Sequence, residues 1–253
     1  MSEYEFVLAG LAAVIGGAVN ALAGGGTLIT FPMLTALGVP AVVANVTNTV
    51  ALCPGYLGGT YAQVDDLRGS KHQIKLLAAV GVLGGIAGGI LLLNTGEQTF
   101  RQLVPYLILL ASGLLAVQGW LRSWLAKRAG NDGTGLGHEL AAVLAVGFAA
   151  VYGGYFGAGL GVIVLAMLGL VLEDTLTRLN AIKQLISFFT NIAAAGFFVF
   201  SGYVLWPVAM VMAVGALLGG SLGGRLAGRI QPELLRWVVV CVGVIIAVIY
   251  FVK

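Results

Sequence analysis

The chain of 253 residues is 59% hydrophobic and 9% charged, with 39 glycines and a mean hydropathy of +1.01. That leaves too little polar surface to coat a soluble globule of this length and assigns the chain to a lipid bilayer. The formal net charge of +3 arises from thirteen Lys and Arg placed mostly in short connections. No basic patch with interleaved aromatics forms, which argues against a nucleic-acid partner.

Apolar segments fall at 5–23, 27–38, 41–62, 73–94 and 101–121, and again at 138–156, 159–172, 176–201, 204–227 and 233–252. The first contains Ala21-Leu22-Ala23, which resembles a signal-peptide cleavage site, but the acidic start at Glu3 and Glu5 lacks a basic n-region. It also has a counterpart in the second half, so it reads as the first mature helix. A spanning helix needs about 20 residues, and segments 27–38 and 159–172 fall short of that. Each follows a glycine cluster, Gly24-Gly25-Gly26 and Gly157-Ala158-Gly159, suited to a sharp reversal. Segments one and two of each half are therefore expected to form a hairpin, either re-entrant or fully spanning.

The halves repeat. Leu83 to Gly89 reads LGGIAGG and Leu218 to Gly224 reads LGGSLGG, an offset of 135, while an offset of 133 superposes Gly24, Gly26 and Thr47 on Gly157, Gly159 and Asn180. The glycine series Gly81, Gly85, Gly89 and Gly215, Gly219, Gly223, with Gly84, Gly88, Gly220, Gly224 and Gly228 beside them, forms small-residue ridges that predict close backbone approach. Positive charge marks three cytoplasmic stretches: Arg68, Lys71 and Lys75; then Arg122, Lys127 and Arg128; then Arg225, Arg229 and Arg236. Both termini then fall on the external side. The expected fold is an all-α polytopic membrane protein of two inverted-topology repeats, each a glycine-broken helical hairpin plus three transmembrane helices. The repeats occupy 1–124 and 138–253, joined by a cytoplasmic linker at 125–137.

Nearly all ionisable residues lie at segment ends, so Lys183 stands out about two turns inside its segment. Asn180, Lys183, Gln184, Ser187 and Asn191 share one helix face. A lone lysine near a helix end is usually snorkelling, but four accompanying polar residues point to a cavity or pathway. No Asp or Glu lies deep within any segment, since Glu139, Glu173, Asp174 and Glu233 sit at ends. A buried cation with amides and hydroxyls favours a small anionic substrate. Helix starts at Thr27 and Leu160, after the two glycine clusters, offer unpaired N–H groups and positive dipole ends that attract anions. If the hairpins enter from opposite faces, Gly24, Gly25, Gly26, Thr27, Gly157 and Gly159 meet near the midplane. Lys183 and Asn180 join from one half, and Thr47 and Asn48 from the other. Arg178, on the opposite face from the stripe, pairs with Glu173 or Asp174 or guards an entrance.

Other chemistry is weakly represented. No GxGxxG or Gly-Lys-Ser/Thr motif is complete, and His72 and His138 lack partner ligands or nucleophiles at useful spacing. Cys53 and Cys241 fall in apolar segments as packing residues. No metal, cofactor, enzymatic activity or soluble domain is expected, and the sequence carries no signal for oligomeric state.

The stretches LAGGGTLITFPMLTALGVP, ANVTN, FGAGLG and RLNAIKQLISFFTNIAA, in that order and in duplicated setting, resemble the TauE/SafE family of membrane proteins over nearly the whole chain. The Arg-x-Asn-x-x-Lys stretch of that family resemblance is Arg178, Asn180 and Lys183 here. The resemblance implies export of sulfite or a short organosulfonate such as sulfoacetate across the bacterial inner membrane, with no cofactor. An anion channel, or an uptake carrier for another oxyanion or a carboxylate, is the alternative. Drive by membrane potential and by protons both remain open.

Overall fold

A computed structural model describes residues 3–22, 25–61, 67, 71–128, 136–172, 174–226 and 232–252. Gly24, Arg68, Glu173, Gly228 and Arg229 lie outside them. Among the described residues there are ten helices and no strand: α1 Glu3–Leu22, α2 Thr27–Ala36, α3 Ala41–Tyr61, α4 Lys71–Thr95, α5 Glu97–Arg128, α6 Leu136–Tyr155, α7 Leu160–Val171, α8 Leu176–Val199, α9 Trp206–Leu226 and α10 Pro232–Val252. Six of them (α1, α4, α5, α8, α9 and α10) are long and apolar enough to cross a membrane, so this is a multi-pass membrane protein. The 10 residues of α2 and 12 of α7 reach only about 15 and 18 Å at 1.5 Å per residue. α5 outruns its apolar segment at both ends, because its backbone hydrogen bonds continue through polar turns at Glu97 to Arg101 and Arg122 to Arg128.

The glycine ridges sit where backbones touch. Gly215, Gly219 and Gly223 of α9 lie against Gly10, Val14 and Ala18 of α1, and a methyl at Gly223 would stand 2.8 Å from the Ala18 Cα. Gly84 and Gly88 of α4 lie against Ala150 and Tyr155 of α6, and Gly85 against Thr190 of α8. Both registers advance in the same direction, so α1 runs parallel to α9 and α4 parallel to α6. Any side chain at these glycines would force the helices apart, and in lipid such close packing is a principal source of helix association.

The packing partners correspond between halves. α1 pairs with α9 as α6 pairs with α4, α3 packs on α9 as α8 packs on α4, α2 touches α10 as α7 touches α5, and α5 with α10 and α3 with α8 pair across the middle. Ends of helices group accordingly. At one end of the bundle the Glu97 carboxylate of α5 accepts from the backbone N–H groups of Ala41 and Val42 (Val42 N to Oε2 2.9 Å) at the start of α3, and Thr35 of α2 meets Tyr250 of α10. At the other, His72 of α4 lies 3.8 Å from Glu139 of α6, and Arg236 of α10 covers Gly119 of α5.

Candidate functional site

The two short helices are built differently. Gly157 and Gly159 hold φ of +77° and +73°, left-handed values that glycine adopts without strain. The turn is closed by Phe156 N and Gly157 N donating to the Tyr152 carbonyl and by the Tyr152 hydroxyl donating to the Ala158 carbonyl at 2.7 Å. Gly26 instead has φ −55°, an ordinary helical value, and a side chain there would strike the Gly16 carbonyl. Thr30 sits beside Gly16 and Leu160 beside Gly153, so each short helix folds back along the helix before it.

The two tips rest on adjacent turns of α5. A methyl at Gly159 would lie 3.4 Å from the Ala111 Cα, and one at Gly25 would lie 2.8 Å from a Leu115 methyl and 3.3 Å from one of Val239. Ala111 and Leu115 stand near the middle of α5, one turn apart. Two positive helix ends are thereby set against adjacent turns of α5, with part of their first-turn N–H groups already donating to the carbonyls of the tips (Leu28 N to Gly25 O 3.0 Å, Leu160 N to Gly157 O 3.2 Å).

Lys183 of α8 stands beside the start of α7. A methyl at Gly161 would lie 3.7 Å from its Cδ and 3.9 Å from its Cε, and its ammonium donates to Asn180 Oδ1 at 3.3 Å. Asn180 Nδ2 is committed to the Leu176 carbonyl at 3.0 Å. Farther along, Asn191 Nδ2 donates to the Ser187 carbonyl at 2.7 Å, and a methyl at Gly157 would lie 3.9 Å from Asn191 Oδ1. Ser187 is buried with its hydroxyl unpartnered, and Gln184 is half-buried. Among the described residues no carboxylate pairs with Lys183, and Arg122 of α5 lies within repulsive reach of it.

On α3, Asn48 Nδ2 donates to Thr27 Oγ1 at 3.4 Å, at the first residue of α2. Thr47 is directed elsewhere: its hydroxyl accepts from Leu205 N at 3.1 Å, tying α3 to the α8–α9 connection. Arg178 pairs with Asp174 at 3.0 Å, one turn away. The structure therefore sets Thr27 against Asn48, Gly157 near Asn191, and Gly161 beside Lys183, which bonds Asn180, with Ser187 and Gln184 on the same α8 face, while Gly25 and Gly159 rest on α5 and Gly26 on Gly16. It holds Thr47 and Arg178 in local bonds.

Three groups were not anticipated. Asn45 is fully buried and donates to the Tyr155 carbonyl at 2.8 Å, bridging α3 to the end of α6. The offset of 135 already carried the signal, since it places Asn45 on Asn180 and Asn48 on Lys183. Thr190 is fully buried against Gly81, and its hydroxyl has no partner. Phe31, Phe100 and Phe156 form a buried aromatic cluster, with centroids 5.4 Å apart for Phe31 and Phe156 and 6.3 Å for each with Phe100. It fills the space between the α7 tip and the end of the bundle where α5 starts.

Among the described residues no group of three His, Cys, Asp or Glu is placed to hold a metal ion. The arrangement suits a compact anion: a positive helix end and a lysine lie side by side at the start of α7, and among the described residues no carboxylate pairs with that lysine.

A family model described as sulfite exporter TauE/SafE matches residues 9–250. Curated relatives are similarly extensive. A probable membrane transporter protein of Haemophilus influenzae is 28% identical over 202 residues, covering 79% of this chain and 76% of that protein. The probable membrane transporter protein YfcA of Escherichia coli K12 is 28% identical over 240 residues, covering 93% and 85%. The probable membrane transporter protein ORF9 of a Sinorhizobium species is 28% identical over 249 residues, covering 94% and 89%.

Proposed function

Since the chain belongs to the TauE/SafE family of membrane transporters, we propose that it exports a small sulfur oxyanion or short organosulfonate across the bacterial inner membrane by alternating access. The observation that carries this is the approach of the α2 and α7 N-termini to adjacent turns of α5, with Lys183 beside the first turn of α7. A sulfite or sulfonate head has three acceptor oxygens on a compact anionic centre. Helix-end N–H groups, the ammonium and amide donors satisfy them once water is stripped away.

The parallel pairs α1 with α9 and α4 with α6 support inverted repeats. With α10 starting where α5 ends, α9 and its parallel partner α1 run toward that end, whereas α6 starts from it beside α4. Transporters built this way bind substrate near the midplane, where broken helices of the two repeats meet. The lengths of α2 and α7 favour re-entrant hairpins. The basic ends of α4, α5 and α10 orient that end toward the cytoplasm and both termini outward. The Phe31, Phe100 and Phe156 cluster then lies on the external side of the tips and acts as the outer gate. An exported monoanion gains about 2.3 kcal/mol per 100 mV of inside-negative potential.

Uptake of radiolabelled sulfite, and separately of ethanesulfonate, into liposomes containing the purified protein tests the proposal. Saturable flux that follows an imposed inside-positive potential, and that excess sulfate does not inhibit, is the expected result. Absence of flux for both anions from folded, inserted protein overturns it, and non-saturating flux makes the protein a channel.

A further inference from the structure

Two acceptors in the site have nothing to accept from. Asn45 and Asn48 are 0% and 1% exposed, and the Oδ1 of each has no hydrogen-bond partner. The Asn45 amide orientation is set by its partner, since Nδ2 faces the Tyr155 carbonyl, which can only accept; Asn48 Nδ2 faces Thr27 Oγ1, a hydroxyl that serves here as acceptor. An orphaned buried acceptor loses its bond to water without replacement, so a fold retains such groups where an occupant satisfies them. The corresponding pair in the second half shows what such an oxygen binds: at the offset of 135, Asn45 corresponds to Asn180, whose Oδ1 accepts from the Lys183 ammonium.

What fills the first-half position has to suit its surroundings. A free metal cation is disfavoured there, because Asn48 touches the first residue of α2, at that helix's positive end, and Lys183 and the start of α7 add further positive charge. A fully deprotonated oxyanion satisfies the donors and leaves both Oδ1 atoms orphaned. An anion with its own O–H meets both demands, its charged oxygens toward the helix ends and lysine and its hydroxyl toward the asparagines.

We propose that Asn45 and Asn48 make the site selective for monoanions that carry a hydrogen-bond donor, hydrogen sulfite and hydroxyalkylsulfonates among them. This rests on the anion-carrier reading above and narrows it. Sulfoacetate, with two negative charges and no donor at neutral pH, is then a poor substrate, and sulfite travels as its monoprotonated form. Sites built to bond a substrate hydroxyl discriminate strongly against the analogue that lacks it, because their own polar groups are then left unpaired.

A matched pair of probes tests this. The compounds 2-hydroxyethanesulfonate and ethanesulfonate share charge and head group and differ in one hydroxyl. In wild-type protein in proteoliposomes, the hydroxylated compound is expected to inhibit labelled sulfite flux at a concentration at least about tenfold lower. In Asn48→Leu and Asn45→Leu that ratio falls toward one. Equal inhibition by the two compounds in wild type, or a strict requirement for sodium or another alkali cation in place of choline, overturns the proposal. Failure of both compounds to bind, with no sulfite flux, instead overturns the anion-carrier reading itself. The wild-type comparison needs no variant, so a misfolded substitution leaves the test intact.

Discussion

At the scale of single residues, Lys183 is the proposed charge partner of the anion. Its stem packs on Gly161 and its ammonium bonds Asn180, so it is held at the α7 start rather than drawn out to the interface. A hydrogen bond to a charged group contributes about 1.5–3 kcal/mol. Lys183→Gln is therefore expected to weaken half-saturation by the transported anion about 10- to 100-fold, while Lys183→Arg retains part of the activity. Flux measured at matched reconstituted amounts checks this, and wild-type kinetics in the glutamine variant would reduce the lysine to a snorkelling role. The aromatic cluster makes a second prediction. Phe156→Ala removes a buried ring packed edge-on against Phe31 and is expected to raise sulfate leak through unloaded protein, read as efflux from preloaded vesicles. Lys183, Asn180 and Asn191 were legible in the sequence because polar residues at helical spacing stand out in an apolar run. Asn45 was not, since its role depends on the Tyr155 carbonyl of another repeat, and no local pattern announces that partner.

At the scale of helices, glycines divide by what a side chain would meet. Gly219 abuts the Val14 backbone and Gly88 the Val151 and Tyr155 backbones, whereas Gly113 and Gly196 have nothing within 4 Å. Gly219→Leu and Gly88→Leu are expected to abolish monodisperse folded protein, because backbone cannot move aside as a side-chain end can. Gly113→Ala and Gly196→Ala are expected to match or exceed wild-type thermal stability, alanine being about 1 kcal/mol better than glycine within a helix. Size-exclusion profiles and melting temperatures in detergent read both; folded Gly219→Leu protein would show that the ridge is not a tight contact. The repeated glycine motif made this interface visible in advance. Hydropathy placed most helix ends within three residues but cut α5 short, as the apolar stretch of a helix ends where lipid ends and the hydrogen-bonded helix need not. The reason for each glycine cluster was also not readable: Gly159 is required by its φ of +73°, Gly26 by its neighbour Gly16.

At the scale of the whole molecule, the proposed carrier joins two short helices to a positively charged centre that it exposes to one side at a time. Single cysteines replacing Ser2 and Lys253 are expected to react with an impermeant thiol reagent added outside intact cells, with cysteines near Lys71 and Lys127 protected, in a background lacking Cys53 and Cys241. The opposite pattern would reverse the assigned orientation. The expected topology rests on positive charge at the connections, which membrane insertion responds to, and on the duplication along the chain. The substrate is less legible, since the proposed recognition of an anion by helix ends leaves no side-chain signature. The most direct test of the central claim is counterflow. Vesicles preloaded with unlabelled sulfite and diluted into a trace of labelled sulfite should transiently accumulate label above equilibrium with wild-type protein and fail to do so with Lys183→Gln. Equilibration without overshoot in wild-type vesicles would contradict a carrier that exposes one site alternately to each side.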